Sequence, residues 1–190
     1  MLALLLQQPR HPYELHRFTV DTHKDYVTGL PRSLYHAVDR LTDLGLIEPV
    51  ETGREGRRPE RTVYQVTDEG KAELATRLRR MLERPDTDIT VQAAALSLMG
   101  CLRPEDVERS LQTRVAALEG EVAQADAALA GLRGGGALPR VLLLEVEYQR
   151  AVRAAELEWV RGLVADIHSG AVTWPGFLDT VFGKEAAPAD

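Results

Sequence analysis

The side chains in this sequence that could do chemistry are arginines and hydroxyl groups gathered in two short stretches. Residues 32–40 carry arginine, serine, tyrosine and histidine, and residues 53–61 carry arginines among glycines and a proline. Guanidinium groups donate to phosphate oxygens and guanine edges, and hydroxyl groups donate to phosphate oxygens. This chemistry indicates double-stranded DNA as a partner, and the expected contact residues are Arg32, Ser33, Tyr35, His36, Arg40, Arg54, Arg57, Arg58 and Arg61.

A helix and a β-hairpin are predicted to position these two stretches. Apolar residues at spacings of four, three and three indicate one buried helix face: Leu34, Val38, Leu41 and Leu44. Gly45 is a natural left-handed stop, and residues 46–50 and 61–66 are predicted to be paired strands joined by the arginine-rich turn. Thr67 is a good N-cap for the following helix. This order is typical of a winged helix-turn-helix, whose second helix enters the major groove.

The second half of the chain is predicted to be almost purely helical. After Pro104, apolar residues alternate spacings of four and three, as in a coiled-coil seam: Leu111, Val115, Leu118, Val122, Ala125, Leu129 and Leu132. Glycines 134–136 make a turn, and Pro139 can start a return helix with one apolar face: Val141, Leu144, Tyr148, Val152, Ala155, Trp159 and Leu163. Two such helices lie antiparallel. We expect the hairpin to pack on the N-terminal domain or on a partner chain, since it cannot bury both faces alone.

These patterns predict a mainly α fold with a small β-hairpin wing. The expected ranges are 1–84 for a winged helix-turn-helix DNA-binding domain, 85–183 for an antiparallel helical dimerisation domain and 184–190 for a disordered tail. The first 84 residues carry 14 Lys+Arg against 13 Asp+Glu, and the remaining residues carry 9 against 16. Phosphate binding depends on local clusters of charge, so the net charge of −6 does not exclude DNA.

Composition argues against several other classes of protein. The five histidines have no close metal-ligand spacing, and the sequence contains no recognisable set of catalytic residues. We therefore expect no metal site, no cofactor and no enzymatic activity. No apolar run approaches the length of a membrane span, and a single cysteine fits a reducing cytoplasm. Cys101 is expected to be a buried, inert thiol, with a redox switch as the alternative.

Three residues of the return helix are candidates for an effector pocket. Tyr148, Val152 and Trp159 share one helix face and could line a cavity between domains or subunits for a small aromatic effector. The alternative is an ordinary packed interface.

The sequence resembles the PadR family of bacterial transcriptional regulators over essentially its whole length. The motifs that carry the resemblance are Leu4-Leu5-Leu6, His11-Pro12-Tyr13-Glu14-Leu15, Ser33-Leu34-Tyr35, Gly45-Leu46-Ile47, Gly56-Arg57-Arg58 and Tyr64-Gln65-Val66-Thr67-Asp68-Glu69-Gly70. The return helix around Trp159 is similar to the dimerisation helices of the larger PadR subgroup. Pro12 stands where the family commonly has glycine. The resemblance implies a homodimeric repressor that binds an inverted repeat and is released by an effector or stress signal.

Other functions remain open at this point. Taken alone, an exposed helix face or an arginine-rich turn is typical of ordinary solvated surface, and only their joint order indicates DNA binding. One alternative is a DNA-binding protein with no ligand. Another is a protein-interaction module whose wing binds a partner protein.

Overall fold

The chain divides into two compact units in the computed structural model, which describes residues 1–21, 31–53, 61–134 and 138–174. Among these residues, one unit comprises Met1–Leu78 with Asp88–Arg103, and the other comprises Arg79–Thr87 with Pro104–Trp174. Both units therefore take residues from either side of the expected boundary at residues 84/85. The three expected domain ranges stay a prediction, and the expected tail at 184–190 lies outside the described residues.

The first unit contains the winged helix. Its described elements are α1 (Leu2–Leu5), α2 (Pro12–Asp21), α3 (Pro31–Asp43), β1 (Ile47–Gly53), β2 (Arg61–Val66), most of α4 (Asp68–Glu83), α5 (Ile89–Leu98) and a 3₁₀ turn (Met99–Cys101). The two strands pair antiparallel from Ile47 opposite Val66, with an irregularity between Pro49 and Glu51. Arg10 adds a bridge to this hairpin. The predicted winged helix is thus confirmed.

The motif at the start of α2 is a reciprocal helix cap. The Tyr13 amide donates to Nδ1 of His11 at 3.1 Å, and the His11 amide donates to Oε2 of Glu14 at 3.1 Å. Pro12 occupies the first helical position, where a missing amide proton is tolerated. The proline therefore suits the helix start, and the cap fixes where the chain turns from Arg10 into α2.

A tight junction joins the end of α3 to the wing and to α4. The Gly45 amide donates to the Thr42 carbonyl at 2.9 Å, and the Leu46 amide donates to the Leu41 carbonyl at 2.9 Å. Gly45 has a φ of 68°, so this is the left-handed helix stop that the sequence predicted. Thr67 Oγ1 donates to the Gly45 carbonyl at 2.8 Å and accepts from the amide of Gly70 at 3.0 Å. The predicted N-cap of α4 is therefore confirmed.

The buried residues of the first unit come from most of its elements. The apolar side chains of α3 and the wing are Leu34, Val38, Leu46, Ile47 and Val66, and they are joined in the core by Leu5, Leu15, Leu74 and Leu78. Leu44 departs from the predicted stripe because α3 ends at Asp43, which places Leu44 in the turn with 55% of its surface exposed.

The second unit is an antiparallel pair of long helices. Helix α6 spans Pro104–Gly134, a 3₁₀ turn spans Arg140–Leu142, and α7 spans Leu144–His168. Ion pairs join Glu119 to Arg161 at 2.5 Å and Asp126 to Arg150 at 2.9 Å. The ion pair with the higher residue number in α6 has the lower residue number in α7. The two helices therefore run in opposite directions, which confirms the predicted hairpin.

Helix α7 packs with the face opposite to the one predicted. Leu157, Val160 and Ile167 are its buried residues. The predicted face is largely exposed, with Val141, Leu144, Tyr148, Val152 and Trp159 all among the exposed large apolar side chains. Both faces of α7 carry apolar residues, so periodicity alone could not tell which one meets α6. No helix within the described ranges is long and apolar enough to span a membrane.

Candidate nucleic-acid interface

Helix α3 presents a polar face opposite its buried residues. Leu34 and Val38 are buried, which turns Tyr35, His36 and Arg40 outward. Tyr35 leaves 53% of its surface exposed although it is aromatic. A phenol, an imidazole and a guanidinium on one helix face can all donate to phosphate oxygens or base edges. The described part of the predicted DNA-contacting face therefore has the exposure that groove contact requires.

For the other predicted contact residues, the structure describes only the backbone or does not describe the residue. Arg32 and Ser33 belong to the first turn of α3, and Arg61 begins β2, but their side chains are not among the described ones. Arg54, Arg57 and Arg58 lie outside the described residues. The contact residues given above stay a prediction, supported by the placement of α3 and of the two strands that carry the wing.

The base of the wing is tied to the N-terminal part of the chain by backbone hydrogen bonds. The Arg10 amide donates to the Tyr64 carbonyl at 3.0 Å, and the Tyr64 amide donates to the Arg10 carbonyl at 3.1 Å. The Arg10 guanidinium lies 5.1 Å from the ring centroid of Phe18 on α2, within cation–π range. Across the hairpin, Gln65 donates to Glu48 at 2.7 Å. These contacts hold the strands in register close to α2.

A buried ionic cluster in the second unit is a feature that the sequence analysis missed. Arg114 of α6 is 1% exposed and pairs with Glu156 of α7, to which its Nε donates at 2.9 Å. Its Nη1 donates to the Arg84 carbonyl at 2.6 Å, just beyond the last residue of α4. Glu156 also accepts from Arg153 at 2.9 Å. The cluster satisfies carbonyls at the end of α4 that have no partner within the helix.

A positional signal for Arg114 was present in the sequence. Four of the buried residues of α6 are spaced by four, three and four: Val107, Leu111, Arg114 and Leu118. The apolar spacing predicted Val115 at this seam position, but Val115 is only half-buried. An arginine three residues after one buried leucine and four before the next is on the packed face, and it therefore requires an acidic partner.

An open cavity of about 580 Å³ lies within the second unit. Asp86 and Thr87, which follow α4, form one wall, and side chains of α6 and α7 form the others. Tyr148 and Val152 of the proposed effector pocket line this cavity, whereas Trp159 is outside its lining and is 54% exposed. The structure thus brings together two of the three predicted residues.

Cys101 and the histidines of the described ranges give no sign of a metal centre. Cys101 is a buried thiol at the end of the 3₁₀ turn. Across the described ranges, no group of three or more His, Cys, Asp or Glu side chains could hold a metal ion. Whether the Cys101 thiol is inert stays a prediction.

The winged helix and the long helical hairpin define the class, a winged helix-turn-helix protein with an additional helical domain. Residues 1–76 match the model of the transcriptional regulator PadR-like family. This match confirms the resemblance carried by the sequence motifs in that part of the chain. The first 76 residues are thus similar to transcriptional regulators, and no curated protein matches the chain.

Three solved structures match most of the chain at low sequence identity and low TM-score. Bacillus subtilis PadR in complex with operator DNA is 19% identical, with a TM-score of 0.40 over 87% of this chain and 96% of that chain. The smu.1604c protein of Streptococcus mutans UA159 is 19% identical, with a TM-score of 0.38 over 86% and 97%. Bacillus subtilis PadR in complex with p-coumaric acid is 17% identical, with a TM-score of 0.37 over 88% and 95%. Likeness at this level carries no argument about ligands.

Proposed function

We propose that this protein is a transcriptional regulator, a homodimeric repressor that binds an inverted repeat in double-stranded DNA in the cytoplasm. The observation that carries the proposal is the outward face of α3, where Tyr35, His36 and Arg40 are exposed while Leu34 and Val38 are buried. In a winged helix-turn-helix this helix enters the major groove. The arginines of the predicted wing turn then contact phosphates or the minor groove.

The proposed dimer forms through the exposed apolar face of α7. Tyr148 is 70% exposed and Trp159 is 54% exposed, and the residues of this face recur at spacings of three and four: Leu144, Tyr148, Val152, Ala155 and Trp159. Large apolar side chains in one row are typical of a surface that a partner covers. A second copy of the chain carries the same row, so two copies can pair around a two-fold axis.

A dimer of this kind explains how a small domain can recognise an operator. One winged helix contacts few bases, and each mismatched base pair typically costs about 1–3 kcal/mol, so a single copy discriminates weakly. Two copies that share a two-fold axis contact two half-sites related by the same symmetry. An inverted repeat is therefore the expected operator.

The proposed signal is either a small molecule or a stress condition. The small molecule would be an aromatic compound, and its candidate contacts are Tyr148, Val152 and Trp159. A ligand that changes the separation of the two recognition helices weakens contacts at both half-sites. Two alternatives remain: DNA binding without any effector, and a winged helix that binds a protein. The first predicts no release of DNA by any effector, and the second predicts no DNA affinity.

Selection from a random DNA pool, followed by fluorescence anisotropy on the selected sequence, tests the proposal without knowledge of the operator. We expect an inverted repeat, bound with an affinity that falls steeply as salt rises. Arg40→Ala and the double variant Arg57→Ala/Arg58→Ala should weaken binding and flatten the salt dependence by about one unit per lost phosphate contact. Arg77→Ala, which removes an exposed arginine of α4, is the matched control.

The outcomes separate the competing functions. Unchanged affinity in the control and weaker affinity in the other variants would support the interface. Selection of no sequence, with no salt-dependent affinity for DNA, would overturn the proposal in favour of a protein-binding wing.

A further inference from the structure

The cavity in the second unit has both apolar and polar walls. Its apolar surface comes from small or exposed side chains: Ala125, Ala128, Val146, Tyr148 and Val152. Its neutral polar groups are the side chains of Thr87, Gln124 and Gln149. Its volume of about 580 Å³ is in the usual range for small-molecule sites. This combination suits a ring with hydrogen-bonding substituents.

The two guanidinium groups that line the cavity are already neutralised within the chain. Arg150 pairs with Asp126 at 2.9 Å, and this hydrogen bond lowers the pKa of the Asp126 carboxyl and raises that of the guanidinium. Arg153 pairs with Glu121 at 2.8 Å and with Glu156 at 2.9 Å. Counting Asp86, which also lines the cavity, the carboxylates beside these two guanidinium groups outnumber them, so a bound anion would meet no net positive charge.

We propose that this cavity binds an uncharged aromatic compound with hydrogen-bonding substituents and disfavours carboxylic acids of the same shape. An anion loses its hydration on entering and meets no unpaired cation among the lining residues, whereas a neutral ring gives up little hydration. Apolar contact with Ala125 and Ala128, which lie outside the proposed dimer row, and hydrogen bonds to the amides of Gln124 and Gln149 supply the affinity. The charge pattern of the lining therefore selects the class of ligand.

The cavity is also connected to the end of α4. Arg153 lines the cavity and donates to the carbonyl of Asp86 at 3.1 Å, three residues after α4 ends at Glu83. A ligand that shifts Arg153 also shifts the segment that follows α4, the helix whose first turn packs against Leu46. An effect of the ligand on DNA binding rests on the proposed function, whereas binding of the ligand itself can be measured without DNA.

Isothermal titration of the full chain with 4-hydroxybenzamide and 4-hydroxybenzoate tests the proposal, because the two probes differ mainly in charge at neutral pH. We expect saturable binding of the amide in the millimolar range typical of so small a ligand, and binding of the acid weaker by a factor of about ten or more. Ala128→Trp fills the cavity and should abolish binding. Ala127→Trp, at the neighbouring exposed position outside the lining, is the matched control.

Each other outcome overturns a stated part of the proposal. Tighter binding of the acid would contradict the ligand class, and equal binding by the Ala128→Trp variant would place the ligand elsewhere. Absence of saturable binding for 4-hydroxybenzamide and for 4-hydroxyacetophenone would overturn the site. Because none of these titrations contains DNA, a failure here leaves the DNA-binding proposal intact, and a failure to bind DNA leaves this result intact.

Discussion

Arg114 and Glu156 form an ion pair, and the buried arginine of this pair also caps the C-terminal end of α4. The Arg114 side chain is 1% exposed and the Glu156 side chain is 20% exposed. The guanidinium donates to the carbonyl of Arg84 as well as to the carboxylate. A buried charge is tolerated only where it is paired and hydrogen-bonded, so this arginine depends on Glu156 and on the carbonyls at the end of α4.

Replacement of one member of this pair should destabilise the helical unit strongly. Arg114→Met leaves Glu156 without its buried partner and the α4 carbonyls without a donor, and we expect a loss of about 3–5 kcal/mol in the free energy of unfolding. The double variant Arg114→Met/Glu156→Leu removes both charges and should recover part of that loss. Urea unfolding followed by circular dichroism measures both.

Arg161→Met provides the control for an exposed ion pair. Arg161 pairs with Glu119, but its side chain is 55% exposed, so the expected loss is about 0–1 kcal/mol. Similar losses for Arg114→Met and Arg161→Met would contradict the importance of the buried pair.

Gly70→Ala should disrupt the junction between α4 and the wing. A Cβ at this position would lie 2.0 Å from the Leu46 carbonyl oxygen and 2.7 Å from Cγ2 of Val66. Because the nearest atom belongs to the backbone, the helix or the strand must move, and we expect a loss of about 2–4 kcal/mol. Thermal unfolding by calorimetry measures the change.

Gly120→Ala is the matched substitution in an open helical environment. Apart from its chain neighbours and the nearby backbone of α6 itself, no atom lies within 4 Å of the Cβ position at Gly120, so the alanine should stabilise the protein by about 0.5–1 kcal/mol. If Gly70→Ala were as well tolerated as Gly120→Ala, the close approach at Leu46 would be refuted.

A charge on the exposed face of α7 should prevent the proposed dimer. Trp159→Lys places an ammonium group in the row of apolar side chains, where a partner would have to remove its hydration. We expect the dimer dissociation constant to rise by a factor of about 100 or more. Sedimentation equilibrium over a range of concentrations measures it.

Ala165→Lys adds the same charge at an exposed position of α7 away from that row. This control should leave the dissociation constant unchanged. A wild-type chain that sediments as a monomer, or a Trp159→Lys variant that dimerises as tightly as wild type, would rule out this interface.

The cap of α5 predicts a titration that can be observed directly. Thr90 donates its hydroxyl and its amide to Asp88, which lowers the pKa of that carboxyl from its usual 3.8. The capping contribution is therefore complete above pH 3.8 and is lost as the pH falls through the lower folded-state pKa. Carbon-detected NMR should show the Asp88 carboxyl titrating below its usual value.

Thr90→Val removes the hydroxyl donor and keeps the amide. The pKa of Asp88 should then rise toward the ordinary value, since the hydroxyl bond is the largest cause of the shift. An Asp88 that titrates identically in both proteins would show that the hydroxyl does not stabilise the carboxylate.

The local features of the winged helix could be predicted because short-range chemistry decides them. Gly45 ends α3 because a glycine adopts positive φ without strain, and Thr67 caps α4 because its hydroxyl accepts from the first-turn amide. Pro12 starts α2 because that position needs no amide donor. In each case the cause lies within a few residues of the effect.

The packing of the helical hairpin could be predicted only in part. The sequence predicted two long antiparallel helices, but it assigned the buried face of α7 to the side that carries Tyr148 and Trp159. The structure instead buries the side that carries Leu157 and Val160. Amphipathic spacing identifies apolar faces, and it does not identify which face meets which partner.

The amino-acid sequence by itself determined the order of the main elements, the stop at Gly45, the cap at Thr67 and the similarity of the first 76 residues to the PadR-like family model. The tertiary structure alone decided that Arg114 is buried with Glu156, because these residues are 42 positions apart and meet only when α6 and α7 pack. It also decided which apolar face of α7 stays exposed. Helix starts and stops depend on neighbouring residues, whereas burial depends on contacts between distant segments.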